Sequence, residues 1–334
     1  MVLRLRRNES DRERTGFVRT SRREELAVLL GAVALDLLIG EPPSAVHPVV
    51  AIGGAVVALE RRAPRSHPGQ LVYGAIMAAG LPLAIAGIAR ATDRLLKRLP
   101  PPLRVVALSF ALKPSFAIRS LLEAGRLVQA ELSAGDVEGA RGHSAALVSR
   151  DTSMLGISHL RAAAIESLTE NLTDSVVAPL LAYCVAGLPG AYWYRCVNTL
   201  DSMIGYRGRF EWIGKTAARL DDLANFIPAR ISAGLLIVSA PFIGGSSTQG
   251  LRLLLEDRRR TESPNAGWTM AAAAGSLGVR LEKQGQYVLN RNGREPGPSD
   301  IATARLLVAV ASTASVLLAA VAILRRPLRS NVCG

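Results

Sequence analysis

The chain is short of cysteine, of aromatic side chains and of charge. Its three cysteines (Cys184, Cys196 and Cys333) form no Cys-x-x-Cys pair, which excludes a disulfide scaffold and a cysteine-rich zinc module. No Gly-x-x-x-x-Gly-Lys-Ser/Thr stretch occurs, so there is no Walker-type phosphate cradle, and Gly244-Gly245-Ser246-Ser247 lacks the lysine that would make one. The histidines His47, His67, His143 and His159 share no metal-ligand spacing. Charged residues make up 20% of the 334 positions and aromatics 4%, against roughly 25% charge in soluble domains. What fills the gap is apolar: 49% of the residues are hydrophobic and the mean hydropathy is +0.24. That is far too apolar for low-complexity disorder. The formal charge is nevertheless +13 and the pI about 10.6. Such a chain is either a membrane protein with Arg-rich flanks or a nucleic-acid binder.

Charge-free runs decide between the two. Leu71–Ala89, Ser175–Tyr194, Ile231–Leu251 and Leu306–Leu324 hold 19, 20, 21 and 19 residues without a charge. About 20 apolar residues of helix cross the hydrocarbon core, and soluble core helices rarely run five turns uncharged. Nucleic acid is therefore not expected as a partner. The fold class predicted is all-α: a polytopic integral membrane protein with four to six membrane segments, some of them candidates for re-entrant segments. Leu26–Gly40 is a first span interrupted by Asp36, an acid costly in lipid and so a functional suspect. After Glu41-Pro42-Pro43, the stretch Ala45–Leu59 is a short second helix, a candidate re-entrant one. Val105–Leu112, cut by Arg104 and Lys113, is amphipathic or interfacial.

Residues 1–25 carry eight arginines against five acids and form an Arg-rich, disordered cytoplasmic tail. A DNA-binding arm is the alternative, and the interspersed acids weigh against it. Residues 26–326 are assigned to one membrane domain and 327–334 to a short tail. Two loops conflict: Tyr194–Arg230 is net +2 and Arg252–Arg305 net +3, so both look cytoplasmic although one apolar run separates them. That run contains Pro241 and Gly244-Gly245, so either it dips in and returns or one charge count misleads.

The chemistry-bearing residues lie in the polar stretches. Glu166, Glu170 and Asp174 recur at i, i+4 and i+8, one acidic helix face, where like charges repel unless a cation intervenes. Mg²⁺ held by carboxylates together with substrate phosphates is the economical reading; a solvated acidic face is an equal alternative. Asn198 and Asp201 sit a turn apart. Asp221, Asp222 and Asn225 lie between Arg219 and Arg230, and arginine forks suit carboxylate or phosphate. Together these suggest an acid-rich, Arg-rimmed membrane-interface site for an anionic, phosphorylated substrate and a divalent ion.

GEPPSAVHPV, SRDTS, AAIESLTENLTDSVVAP, VNTLDSMIGY, RLDDLANFIPAR, SPNAGW and the late Asp300-Ile301 occur in that order. In them the chain closely resembles the CobD/CbiB family of cobalamin biosynthesis, the adenosylcobinamide-phosphate synthases, from about Leu26 to about Leu324. It departs at Glu41, where the family usually has Asp, at Thr269-Met270, where Pro-Glu is typical, and at Ser149, commonly Gly. The resemblance implies an integral enzyme of the plasma membrane, N-terminus inside, that joins the free carboxyl of adenosylcobyric acid to (R)-1-aminopropan-2-ol or its O-phosphate. ATP is implied as the activator through an acyl phosphate, with Mg²⁺. Membrane lipid and other late corrinoid-pathway enzymes are the further partners. The implied catalytic set is Glu166, Glu170, Asp174, Asp201 and Asp222. Metal would fall to Glu166, Glu170, Asp174 and Asp221. Substrate contacts would fall to Arg150, Asp151, Asn171, Asn198, Arg219, Asn225, Arg230 and Asn265. The competing classes are an intramembrane Mg-dependent prenyl- or phosphotransferase, whose DxxxD or DGxxAR patterns are missing, and a transporter or sensor, whose internal repeats are missing.

Overall fold

The computed structural model describes residues 21–145, 147 and 151–325. The first helix starts where Ser21 accepts the amide of Glu24 on its hydroxyl, and prolines begin several others, where a missing N–H costs nothing. In chain order the helices are α1 (Arg22–Leu38), α2 (Pro48–Glu60), α3 (His67–Leu96), α4 (Pro101–Leu112), α5 (Ile118–Ala134), α6 (Val137–Ala145) and α7 (Ile157–Leu172). A π-turn, Thr173–Val177, leads into α8 (Ala178–Ile204). Then come α9 (Lys215–Ala224), α10 (Phe226–Ser239), α11 (Ser247–Asp257), α12 (Ala266–Leu277) and α13 (Asp300–Arg325). Between α12 and α13 a short antiparallel hairpin, β1 (Leu281–Lys283) and β2 (Tyr287–Leu289), pairs Leu281 with Leu289, a small addition to the all-helical expectation. Helix α1 begins within the residues assigned to the tail; the rest of that tail, up to residue 20, and the short tail at 327–334 lie outside the described residues.

Among the described residues, four helical stretches are long and apolar enough to cross a membrane: His67–Leu96, Ile157–Ile204, Phe226–Ile243 and Asp300–Arg325. Large apolar side chains such as Leu83, Ile88, Val185 and Leu317 face outward from them, as lipid-facing residues do. The expectation for Val105–Leu112 is corrected. Its flanking charges are not interfacial: Arg104 is buried in an ion pair with Glu24, and Lys113 is buried between Asp36 and Glu41. Pro101–Ser115 and Ile118–Ala134, bent by 41°, together make a fifth candidate span.

Two of the charge-free runs turn back instead of carrying the chain onward. In a straight helix Asp174 and Tyr194 would stand about 30 Å apart, yet the Tyr194 hydroxyl lies 3.3 Å from Asp174 Oδ1. The chain reverses at Gly187, whose φ of 67° and ψ of −153° are closed to other residues. Gly190 then packs so closely on the Ala182 carbonyl that a Cβ would overlap it. Ser175–Tyr194 is thus a hairpin whose arms within the run are about 18 Å and about 10 Å long, each short of the ~30 Å hydrocarbon core. Ile231–Leu251 is not one run either. The apolar helix ends at Ile243, Gly244 turns at φ 74°, and α11 returns until Arg258 lies over Trp268 at the start of α12. Asn265 donates to the Asp222 carbonyl at 2.7 Å, so the two basic loops on either side of the run meet. Their matching charge is no conflict, because no net crossing separates them.

Helix α3 docks on the segment before α9 through Gly74, where a Cβ would overlap the Ile213 carbonyl. Backbone cannot yield as a flexible side chain does, so Gly74→Ala is expected to destabilise the protein by about 1–3 kcal/mol. The measurement is the apparent Tm of the purified protein in detergent; an unchanged Tm would show that α3 does not dock there.

Candidate active site

The hairpin and the returning α10–α11 segment bring the polar stretches to one cavity of about 280 Å³. Glu170 and Asp174 reach it from α7 and the π-turn, Asp201 from the second arm of α8, and Asp221, Asp222 and Asn225 from the end of α9. Asn265 closes one side and Glu262 and Arg207 stand at its rim. Six acids and one arginine therefore line the same space.

Neutral donors hold the buried acids in place. Asp221 accepts Asn225 Nδ2 on Oδ2 at 2.9 Å and Asn198 Nδ2 on Oδ1 at 3.5 Å. The amide of Asn225 is oriented in turn by the Tyr194 hydroxyl, which donates to its Oδ1 at 2.8 Å. Arg195 reaches the Asp174 carbonyl and Asn198 Oδ1, each at 3.5 Å. Burial pushes the Asp221 carboxyl well above the ordinary carboxylate range, and the charges of Asp174 and Asp201 push it further. Asp222, half-buried, is raised by burial and lowered by Arg219 at 3.9 Å.

The other expected residues fall in several places. Glu166 is buried in α7 and is not part of the cavity lining. Asn171 turns back on its own helix, donating to Ser167 O at 2.9 Å and to Ser167 Oγ at 3.1 Å. Arg219 points outward and Asp151 is exposed, its carboxylate lowered by the Ser153 amide that it accepts at 2.9 Å. Arg150 lies outside the described residues. Arg230 sits between the rings of Phe226 and Trp268, 3.6 and 4.5 Å from their centroids, and donates to Asn265 Oδ1 at 2.8 Å. It braces the cavity wall from behind. Residue spacing gave no sign of Tyr194 or Arg207. Tyr194 ends an apolar run, and only the reversal at Gly187 turns its hydroxyl toward Asp174.

Among the described residues no three His, Cys, Asp or Glu side chains are arranged to hold a metal ion unaided. A hard cation that keeps waters and takes its remaining ligands from substrate phosphates needs only one or two carboxylates. The acid lining fits such an ion: Glu170, Asp174 and Asp221 each contribute a carboxyl group to it, and Glu166 is set apart.

The family model described as CobD/Cbib protein matches residues 29–321. A probable cobalamin biosynthesis protein CobD of Methanothermobacter thermautotrophicus is 45% identical over 266 residues, 79% of this chain and 86% of that protein. The cobalamin biosynthesis protein CobD of Dehalococcoides mccartyi is 40% identical over 288 residues, 85% of this chain and 93% of that protein. A probable CobD of Methanothrix thermoacetophila is 37% identical over 305 residues, 88% and 95% of the two chains. No solved structure matches.

The raised carboxyl of Asp221 has a consequence for stability. Above the ordinary carboxylate pKa the native state holds a proton that the unfolded chain has released, so the ligand-free protein loses stability as pH rises through the raised value. Asp221→Asn is expected to flatten the apparent Tm between mildly acidic and neutral pH. The same slope in wild type and variant would place the dependence elsewhere.

Proposed function

The chain belongs to the CobD/Cbib protein family and hence to cobalamin biosynthesis, and on that premise we propose that it is an adenosylcobinamide-phosphate synthase. The reaction is the ligation of adenosylcobyric acid to (R)-1-aminopropan-2-ol O-phosphate, or to the free amino alcohol, driven by ATP. In this reading a carboxylate oxygen of the corrinoid takes the terminal phosphoryl group of ATP and ADP leaves. The amine nitrogen then attacks the acyl carbon, and inorganic phosphate leaves as the amide forms.

The observation that carries this reading is the gathering of Glu170, Asp174, Asp201, Asp221 and Asp222 around one cavity closed by neutral amides. Mg²⁺ bound with the triphosphate would neutralise charge on the phosphoryl oxygens. Glu170 and Asp174, with Asp221 behind them, are the residues that would hold it. Asp222 is the general base of the proposal. It lies at the cavity with its carboxyl raised by burial, which suits a group that must take the proton the amine nitrogen sheds as it bonds to the acyl carbon. Arg207, the cation at the rim, would meet an incoming anion once released from Glu262, 3.9 Å away. A cavity of about 280 Å³ takes the reacting arm and a phosphate group; the macrocycle stays outside it. The Arg-rich first residues and the long apolar helices support a plasma-membrane enzyme with its N-terminus in the cytoplasm. Other late corrinoid-pathway enzymes are its expected neighbours there.

The test is an assay of the purified protein with adenosylcobyric acid, aminopropanol phosphate and ATP, followed by product mass and ADP release. Glu170→Gln and Asp222→Asn, correctly inserted, are each expected to lower kcat by about 10²-fold or more. Full activity in both variants would move the site away from this cavity. In cells, a deletion strain should be rescued by cobinamide and not by cobyric acid; rescue by cobyric acid would overturn the synthase reading.

A further inference from the structure

Asp36, the acid inside the first apolar helix, is fully buried, and the proposed chemistry does not use it. Its Oδ2 accepts the backbone amides of Ile118 and Arg119, both at 3.0 Å. These amides open α5, so Asp36 caps a helix from another part of the chain, where the local residue, Ala117, has no side chain able to do so. Lys113 stands 3.4 Å from Oδ1 and 2.7 Å from Glu41. The Arg119 guanidinium donates in return to the last carbonyls of α1, Leu37 at 3.3 Å and Leu38 at 2.9 Å. Each helix end thus satisfies the other.

The amide before the capped pair has a different partner. Ala117 N donates to Ser175 O at 2.9 Å. Ser175 lies in the π-turn, next to Asp174. The residue four positions after it, the usual helical donor to its carbonyl, is Pro179, which has no N–H. Ala117 supplies that bond from outside the helix.

We propose that Asp36 is a positioning residue for the cavity: by capping α5 it fixes the Ala117 amide that stands in for the missing Pro179 donor, and so keeps the π-turn that presents Asp174. A one-residue slip in helical register turns a side chain by about 100°, enough to take Asp174 off the cavity. The link to catalysis rests on the cavity being the reaction site; the structural link does not.

The test uses the full-length protein in phospholipid nanodiscs, with hydrogen–deuterium exchange and ligation kinetics measured on the same preparations. Asp36→Ala is expected to speed exchange over 117–121 and 172–180, to leave α11 unchanged, and to lower kcat by about 10- to 100-fold. Asp36→Asn keeps a capping oxygen and leaves Lys113 paired with Glu41 at 2.7 Å, so it should stay within about threefold of wild type in both measurements. Unchanged exchange over 172–180, an increase that includes α11, or a wild-type kcat in Asp36→Ala would each overturn the proposal. Should Asp36→Ala not insert, Pro179→Ala decides. It restores the missing amide and lets the turn relax to α-helix, so its Tm should hold while kcat falls by a similar factor; a wild-type kcat there overturns the proposal. A wild-type protein without ligation activity would count against the function, while the exchange comparison would still decide the role of Asp36.

Discussion

Carboxylates of like charge repel, and six acidic side chains line one cavity here. At the effective dielectric of a protein, unit charges 4 Å apart interact by about 4 kcal/mol. An arrangement of this kind survives in the absence of ligand only if the surroundings oppose the repulsion. The chain does so with neutral groups: Asn198 and Asn225 each turn an amide N–H toward Asp221, and Tyr194 fixes Asn225. Amides hold the Asp221 carboxyl in place without adding a positive charge, so the acids of the cavity as a group keep their attraction for a cation. Arginines stand around it at Arg195, Arg219 and Arg230, engaged with backbone, amide, ring or single-carboxylate partners.

The opposite solution is used at the N-terminal end. There Arg104 with Glu24, and Lys113 with Asp36 and Glu41, are buried as pairs between α1, α4 and the start of α5. Buried ion pairs add little net stability, but removing one partner is costly, so they enforce a single arrangement of the helices that contain them. The α1–α5 junction thus holds its geometry through cancelled charge. The cavity keeps uncancelled charge, and its walls must supply the rigidity.

The sequence made the helical class, the long apolar helices and most of the acidic residues legible. Run length identified α3 and α13, and local density of acid and amide pointed to Glu170, Asp174, Asp201, Asp221 and Asp222, all of which line the cavity. What it hid were reversals. A charge-free run of 20 residues reads the same whether it crosses or folds back at Gly187, because a single backbone conformation decides the matter. The i, i+4, i+8 spacing of Glu166, Glu170 and Asp174 assumes an uninterrupted α-helix along the whole acidic stretch. The structure instead puts Asp174 in a π-turn and leaves Glu166 out of the cavity lining. Arg104 and Lys113 looked like interruptions of an apolar segment because their partners, Glu24 for the first and Asp36 and Glu41 for the second, lie far back in the chain.

The reversal at Gly187 also bears on where reactants come from. Both arms of the hairpin start and finish at the acid-lined cavity, and the α10–α11 excursion ends there too. The elements that build the cavity therefore share a single face, and the hairpin tip behind it, Val185–Pro189, carries no charged residue. If the proposed ligation takes place in this cavity, the bilayer would be a floor and not a partition: nucleotide, amine and macrocycle would all be drawn from one pool, and the product would return to it.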